Sequence, residues 1–192
     1  MSRSLLRGDV ALSKWLFLTL GDTHGRGRAA LRAVERLGQG WLWFGGPAGV
    51  LLLSSSPPLR RDAACLLFAM LLDLALVALL KAVVRRPRPA YNLGDTRVFS
   101  VDRFSFPSGH ASRCALVAAL AVQCADGAGA GAGAAACVGV WAAGTAVSRV
   151  TMGRHHVSDV LCGVALGLLE ERMCRAVFER GFVRVCEVSA AP

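Results

Sequence analysis

AACLLFAMLLDLALVALLKAVVRRPRP, residues 63–89, is an apolar run with a single internal charge, Asp73, closed by a basic segment interrupted by prolines. As a helix, positions 63–80 rise about 27 Å, close to the ~30 Å hydrocarbon core of a bilayer. The stretch therefore reads as a membrane span, with Lys81 at its end and Pro87 and Pro89 stopping further helix. Asp73 precedes Lys81 by two helical turns, ~12 Å along the axis, too deep to touch anything bound at the end of the span. A hydrogen bond to a neighbouring helix is its expected role.

Composition agrees with a membrane setting. Of the 192 residues, 54% are hydrophobic and 18% charged, against the ~25% charged usual for soluble domains. The length fits one domain. A net charge of +9 admits nucleic acid, anionic lipid or phosphorylated substrates as partners. Apolar runs separate the basic residues and there is one Tyr, so a nucleic-acid surface is excluded. The cysteines Cys65, Cys114, Cys124, Cys137, Cys162, Cys174 and Cys186 show no CxxC spacing and read as small buried hydrophobes. Charges inside the first apolar segment argue against a removable signal peptide.

Other segments fall around this span. Residues 9–20 and 27–37 read as short helices, the first interfacial or a reduced span with Trp15 at headgroup level. WLWFGGPAGVLLL (41–53) is a short span interrupted by Gly and Pro, with Trp41 and Trp43 as interfacial anchors. Residues 111–125 and 134–147 form a helical hairpin, and 160–169 is a last span extended by EERMCRAVF. The Ala/Gly tract 127–136 reads as a flexible turn; it lacks the spacing and Lys of a phosphate loop. The expected organisation is 1–40 as interfacial helices or a reduced first span, 41–176 as the membrane-embedded domain, and 177–192 as a tail. If 63–80, 111–125, 134–147 and 160–169 cross in turn, the polar ends of all four share one face.

Three polar clusters fall on that face. In KAVVRRPRP (81–89), Arg88 is held between prolines; capping of a span by cytoplasmic basic residues is the plain alternative. In FSFPSGHASR (104–113), Ser108 caps a helix whose N-terminus offers free N–H groups to an anion, and Gly109 permits close approach. A plain cap explains Ser108 but neither His110 nor Arg113. In SRVTMGRHHVSD (148–159), His155 and Asp159 share a helical face, while His156 is also within reach of Asp159. A carboxylate behind an imidazole fixes its tautomer and frees the other nitrogen to attack, although a His/Asp pair is often only structural. Lys81, Arg88, Arg149, a Ser hydroxyl, a helix N-terminus and two histidines make an inventory for phosphoryl transfer without a metal. Asp95 and Asp102 lie in the intervening loop, with nothing to make them a metal site.

At these positions the chain resembles the phosphatidic acid phosphatase type 2 superfamily of membrane lipid phosphatases. Its signatures are K-x6-RP, PSGH and SR-x5-H-x3-D, and all three are complete and in order across roughly residues 60–175. The resemblance implies an all-α, multi-pass transmembrane helical bundle of the kind shared with haloperoxidases, and a phosphoric monoester or diphosphate hydrolase needing no cofactor or metal. Lys81, Arg88, Ser108, Gly109 and Arg149 would then bind phosphate. His155, held by Asp159, would become phosphohistidine, and His110 would serve as general acid and then base. The signature spacing selects His155 over His156.

More narrowly, LLFAMLLDLALVALLKAVVRRPRPAYN, SVDRFSFPSGHASR and SRVTMGRHHVSDV are similar to the polyisoprenoid diphosphate phosphatases. That resemblance implies presqualene, farnesyl or geranylgeranyl diphosphate as substrate, with residence in the endoplasmic reticulum and nuclear envelope. Arg113, Arg85 and Arg86 are candidates for contacting the distal phosphate. A broad phosphatase for phosphatidic acid or sphingoid phosphates is the alternative enzyme, and a non-catalytic membrane scaffold is the alternative class. A transporter would want internal repeats and polar groups at mid-membrane, where only Asp73 lies. A soluble haloperoxidase would be larger and less apolar. Lys/Arg in the 81–103 loop favour a cytoplasmic site, whereas the resemblance implies a lumenal one. Homo-oligomerisation stays open.

Overall fold

The computed structural model describes residues 3–21, 26–92, 103–128 and 132–189, and among these the regular elements are helices. They are α1 (Arg3–Leu20), α2 (Arg26–Leu37), α3 (Gly40–Leu53), α4 (Pro57–Val84), α5 (Gly109–Ala128), α6 (Ala132–Thr151) and α7 (Val157–Ser189). One isolated antiparallel bridge, Pro87 with Phe104, ties the segment after α4 to the segment before α5.

Helix α4 begins on Pro57 and Pro58, where a missing N–H costs nothing. It ends at Arg85, in the left-handed region at φ 50, whose N–H donates to the Lys81 carbonyl at 3.0 Å. Its 28 residues span about 42 Å, longer than the apolar core at 63–80. Asp73, Val77 and Lys81 form a buried stripe at four-residue spacing, while Leu71, Leu74, Leu79 and Val83 face outward. In water that apolar face would be a liability; in a bilayer it is solvated by lipid. Helices α4 and α6 are long and apolar enough to cross a membrane, and the apolar part of α5, Gly109–Val122, is shorter.

Small residues set the central contact between α5 and α7. A side chain at Gly163 would come 2.5 Å from the Ser108 carbonyl oxygen, and one at Gly167 would overlap the Ser112 carbonyl. The two glycines are four apart, the small-xxx-small spacing that lets helix backbones approach closely. Ala69, Leu116 and Cys174 then fill the centre of the bundle, with Ala111, Val150 and Val160 packed nearer its polar end.

Several sequence expectations need adjusting. The Ala/Gly tract 127–136 is mostly helix: α5 runs to Ala128 and α6 starts at Ala132, because Ala favours helix strongly enough to carry the glycines. Residues 129–131 of that tract lie outside the described residues. Helix α7 continues past 177 to Ser189, so the chain does not leave the helix there. Cys114 and Cys174 are buried, but Cys137 and Cys162 face outward. The side chains of Cys124 and Cys186 lie outside the described residues.

Helix α1 carries Asp9, Ser13 and Phe17 on one stripe, packed on the polar end of the bundle. Ser13 Oγ accepts from Val157 N at 2.9 Å, and Asp9 Oδ1 accepts from Ser158 N at 3.0 Å. The N-terminus of α7 is thus capped by another helix, satisfying N–H groups that α7 itself leaves open. Phe17 stacks on Tyr91 with centroids 4.7 Å apart. Gly153, at φ 70, lies beneath both rings, where a side chain would collide.

Candidate active site

Four helix ends meet at the polar end of the bundle: Lys81 on α4, Ser108 to His110 at the start of α5, Arg149 on α6, and the loop from Met152 into α7. Backbone hydrogen bonds fix their register. Ser105 N donates to the Arg86 carbonyl at 2.8 Å, and Ser105 Oγ to the Pro87 carbonyl at 3.0 Å. Ser108 N donates to the Asp159 carbonyl at 3.0 Å, joining the entry of α5 to the first turn of α7. Ser108 Oγ accepts from Ala111 N at 3.5 Å, so the serine is a cap as well as a candidate ligand. The amides of Arg154 and His155 both donate to the Arg149 carbonyl, at 3.0 and 3.1 Å, folding the loop back over α6.

His155 is buried, and its Nδ1 lies 2.7 Å from the Ser105 carbonyl oxygen. A carbonyl can only accept, so Nδ1 carries the proton and Nε2 keeps its lone pair. Burial, followed by the charges of Arg88, Arg149 and Lys81, pushes the pKa of His155 well below the usual histidine range. The imidazole is therefore neutral at pH 7. Arg149, Arg113, Lys81 and Arg88 are also the charges acting on His110. The buried Nε2 of His110 has no hydrogen-bond partner among the described residues.

The expected hold of Asp159 on His155 is not a hydrogen bond here. The carboxylate is 3.9 Å from His155 Nδ1 and 3.2 Å from His156 Nδ1, and it accepts from the His156 amide at 2.8 Å. Its other oxygen accepts from Arg86 at 2.7 Å. Arg86 also donates to Asp9 and to Ser158 Oγ, each at 2.7 Å. The two carboxylates surround this guanidinium, so Arg86 serves as a brace rather than an open phosphate contact. Arg113 is likewise occupied, 3.0 Å from the fully buried Asp73, whose charge calls for a cation inside the bundle. That pair gives Asp73 its neighbouring-helix partner. Arg85 is exposed, with Nε donating to the Ala82 carbonyl at 2.7 Å. Of the three arginines suggested for a distal phosphate, Arg86 and Arg113 are thus held by carboxylates, and Arg85 lies exposed.

Three groups of supporting residues escaped sequence reading. Ser105 supplies its carbonyl, which no side-chain pattern reveals. Asp9 and Ser13 had the signal of a four-residue repeat, continued by Phe17. Glu35 on α2 pairs with Arg149 at 2.9 Å and with Arg154 at 3.2 Å. Asp95 and Asp102 lie outside the described residues.

Comparison with known proteins bears on this arrangement. The chain is 36% identical over 156 residues to a probable lipid phosphate phosphatase beta of Arabidopsis thaliana, covering 69% of this chain and 71% of the relative. It is 31% identical over 170 residues to a decaprenylphosphoryl-5-phosphoribose phosphatase of Mycobacterium tuberculosis, covering 87% and 89%. Its fold matches a transmembrane PAP2-type phosphatidylglycerolphosphate phosphatase of Bacillus subtilis with a TM-score of 0.76 at 24% identity, covering 93% of this chain and 88% of that one. The fold is thus an all-α, multi-pass transmembrane bundle of that type. Because residues 62–180, which include all four convergent helix ends, match the PAP2 superfamily, the chain belongs to that family and is a membrane phosphatase.

Proposed function

We propose that the protein hydrolyses polyisoprenoid diphosphates and monophosphates through a phosphohistidine on His155. One observation carries this reading: the Ser105 carbonyl holds the proton on Nδ1, leaving a neutral Nε2 among Lys81, Arg88 and Arg149. In the first step the Nε2 lone pair attacks phosphorus and the bond to the leaving oxygen breaks. His110 gives that oxygen its proton. Water then attacks the phosphohistidine, His110 takes the water's proton, and the P–N bond breaks to return free imidazole and inorganic phosphate. Lys81, Arg88, Arg149, the Ser108 hydroxyl and the Gly109 amide neutralise the charge that builds on the equatorial oxygens. No metal is required by this inventory, and Asp159 acts by bracing Arg86 and the loop.

An isoprenoid substrate is supported by the motif similarity and by the relative named for a decaprenyl-linked phosphate. The relative named a lipid phosphate phosphatase supports the second reading, a broad lipid phosphate phosphatase. Residence in the endoplasmic reticulum and nuclear envelope, with a lumenal site, accompanies the isoprenoid reading. The test is phosphate release in detergent and EDTA from farnesyl diphosphate, farnesyl phosphate, phosphatidic acid and sphingosine phosphate, with His155→Ala as control. The proposal expects release from the isoprenoids, unaffected by EDTA and absent in the variant. Preference for phosphatidic acid would favour the second reading, and full turnover by His155→Ala would end both.

A further inference from the structure

Glu35 sits outside every signature of the family, yet it reaches the phosphate site. Helix α2 exposes Arg32, Arg36 and Leu37 on its outer side and turns Glu35 inward, where it is 8% exposed. One oxygen, Oε1, accepts from Arg149 at 2.9 Å and pairs with Arg154 at 3.2 Å. Burial alone would raise the Glu35 carboxyl, but Arg149 and then Arg154 outweigh it and hold the pKa below the usual carboxylate range. The group is a buried anion clasped by two guanidinia.

One of those arginines precedes the loop that carries His155, and the other lies within it. Arg149 is 1% exposed, with its other donors directed to Ser148 Oγ at 3.3 Å and Met152 Sδ at 3.5 Å. These are weak acceptors, so Glu35 is the anion that fixes this guanidinium among the described residues. A guanidinium has five N–H donors in a rigid fork; one edge tied to a carboxylate leaves others oriented for a phosphate. Arg154 is the residue before His155, and its amide already donates to the Arg149 carbonyl. Through one oxygen, Glu35 sets both the cation and the start of the loop that carries the imidazole.

We propose that Glu35 is a positioning residue for phosphate binding, holding Arg149 and the His155 loop in the geometry that receives the substrate. This rests on Arg149 being a phosphate ligand. An anion that merely occupied the site until substrate displaced it would do the opposite, since its removal would tighten phosphate binding.

The test uses the full chain in detergent, with vanadate as the phosphate probe and a lipid phosphate as substrate. Glu35→Gln keeps the shape and removes the charge. The proposal expects its vanadate affinity to fall about 10- to 100-fold, with KM rising in parallel and Glu35→Asp recovering part of both. Vanadate affinity unchanged or tightened in folded Glu35→Gln overturns it, including the case where only the melting temperature drops. If Glu35→Gln does not fold, the Glu35→Gln/Arg154→Gln pair removes one charge of each sign and leaves Arg149 unheld. Unchanged vanadate affinity in that pair overturns the proposal equally. Wild type insensitive to vanadate would instead sink the underlying phosphate reading, so the two failures are distinct.

Discussion

His155 Nδ1 lies 2.7 Å from the Ser105 carbonyl and 3.9 Å from the nearer Asp159 oxygen. The backbone, not the carboxylate, sets the tautomer. Asp159→Asn is therefore expected to leave His155 protonated at Nδ1, read by the 15N shifts of a histidine-labelled sample. Its damage should fall instead on stability, because Arg86 loses one of its two carboxylates. A switch of the proton to Nε2 would show that Asp159 governs the ring.

The cations proposed to bind phosphate also act on His155, the proposed nucleophile. Burial comes first in lowering the pKa of His155, and Arg88 is the largest charge behind it. Protonation destroys the nucleophile, so the acid limb of kcat/KM that belongs to His155 lies below the ordinary ~6.5. Removing Arg88 should raise that pKa and move the limb to higher pH. Comparing wild type with Arg88→Gln on one substrate cancels the substrate's own ionisation. An unmoved limb would mean that Arg88 does not act on His155. The same shift makes the folded state reject a proton that the unfolded chain accepts, so the stability contribution of His155 is present above ~6.5 and lost as pH falls below it.

Asp73 and Arg113 form an ion pair in the bundle interior, with side chains fully buried and 12% exposed. Asp73→Asn takes the salt-bridged carboxylate from Arg113 and should lower stability, with buried Glu170 left as the other acidic group beside the guanidinium. Asp73→Asn/Arg113→Gln should cost less than the sum of the single changes, because the two side chains contact each other directly at 3.0 Å. Thermal unfolding in detergent measures this; additive losses would show that the pair is not coupled.

Gly163 lets α7 press against the peptide of Ser108, where an added side chain would sit 2.5 Å from the carbonyl oxygen. Gly163→Ala forces those backbones apart at a cost of about 1–3 kcal/mol by overpacking. The shift falls between Ser108 and the first turn of α7, so stability and phosphate release should fall together. Full activity in a destabilised variant would separate packing here from the site.

The polar end of the bundle was legible because polar residues interrupt apolar runs where spans end. Lys81, His110, Arg149 and His155 stand out against Leu, Val and Ala, and topology carries them to one face. Substrate-facing roles suggested for Arg86 and Arg113 were not secure, since sequence shows a cation but not the carboxylate that occupies it. Glu170 illustrates the same blindness: it reads as part of a charged helix end, yet it is fully buried and accepts weakly from Ser112 Oγ at 3.4 Å. Helices α1 and α2 were seen as helices near the interface. Their contribution, through Asp9, Ser13 and Glu35, depends on partners more than a hundred residues away. Local periodicity does not encode that distance. The Ala/Gly turn was overdrawn because glycine signals a loop locally, while the alanines around it favour helix.

The most direct measurement is to trap the phosphoenzyme. Purified protein mixed with a terminally 32P-labelled isoprenoid diphosphate and quenched within milliseconds should hold label that is lost in acid, survives alkali, and maps to the peptide bearing His155. His110→Asn should accumulate that label if its clearance is slowed, and His155→Ala should show none. Label on a serine or aspartate, or undiminished labelling of His155→Ala, would contradict the account.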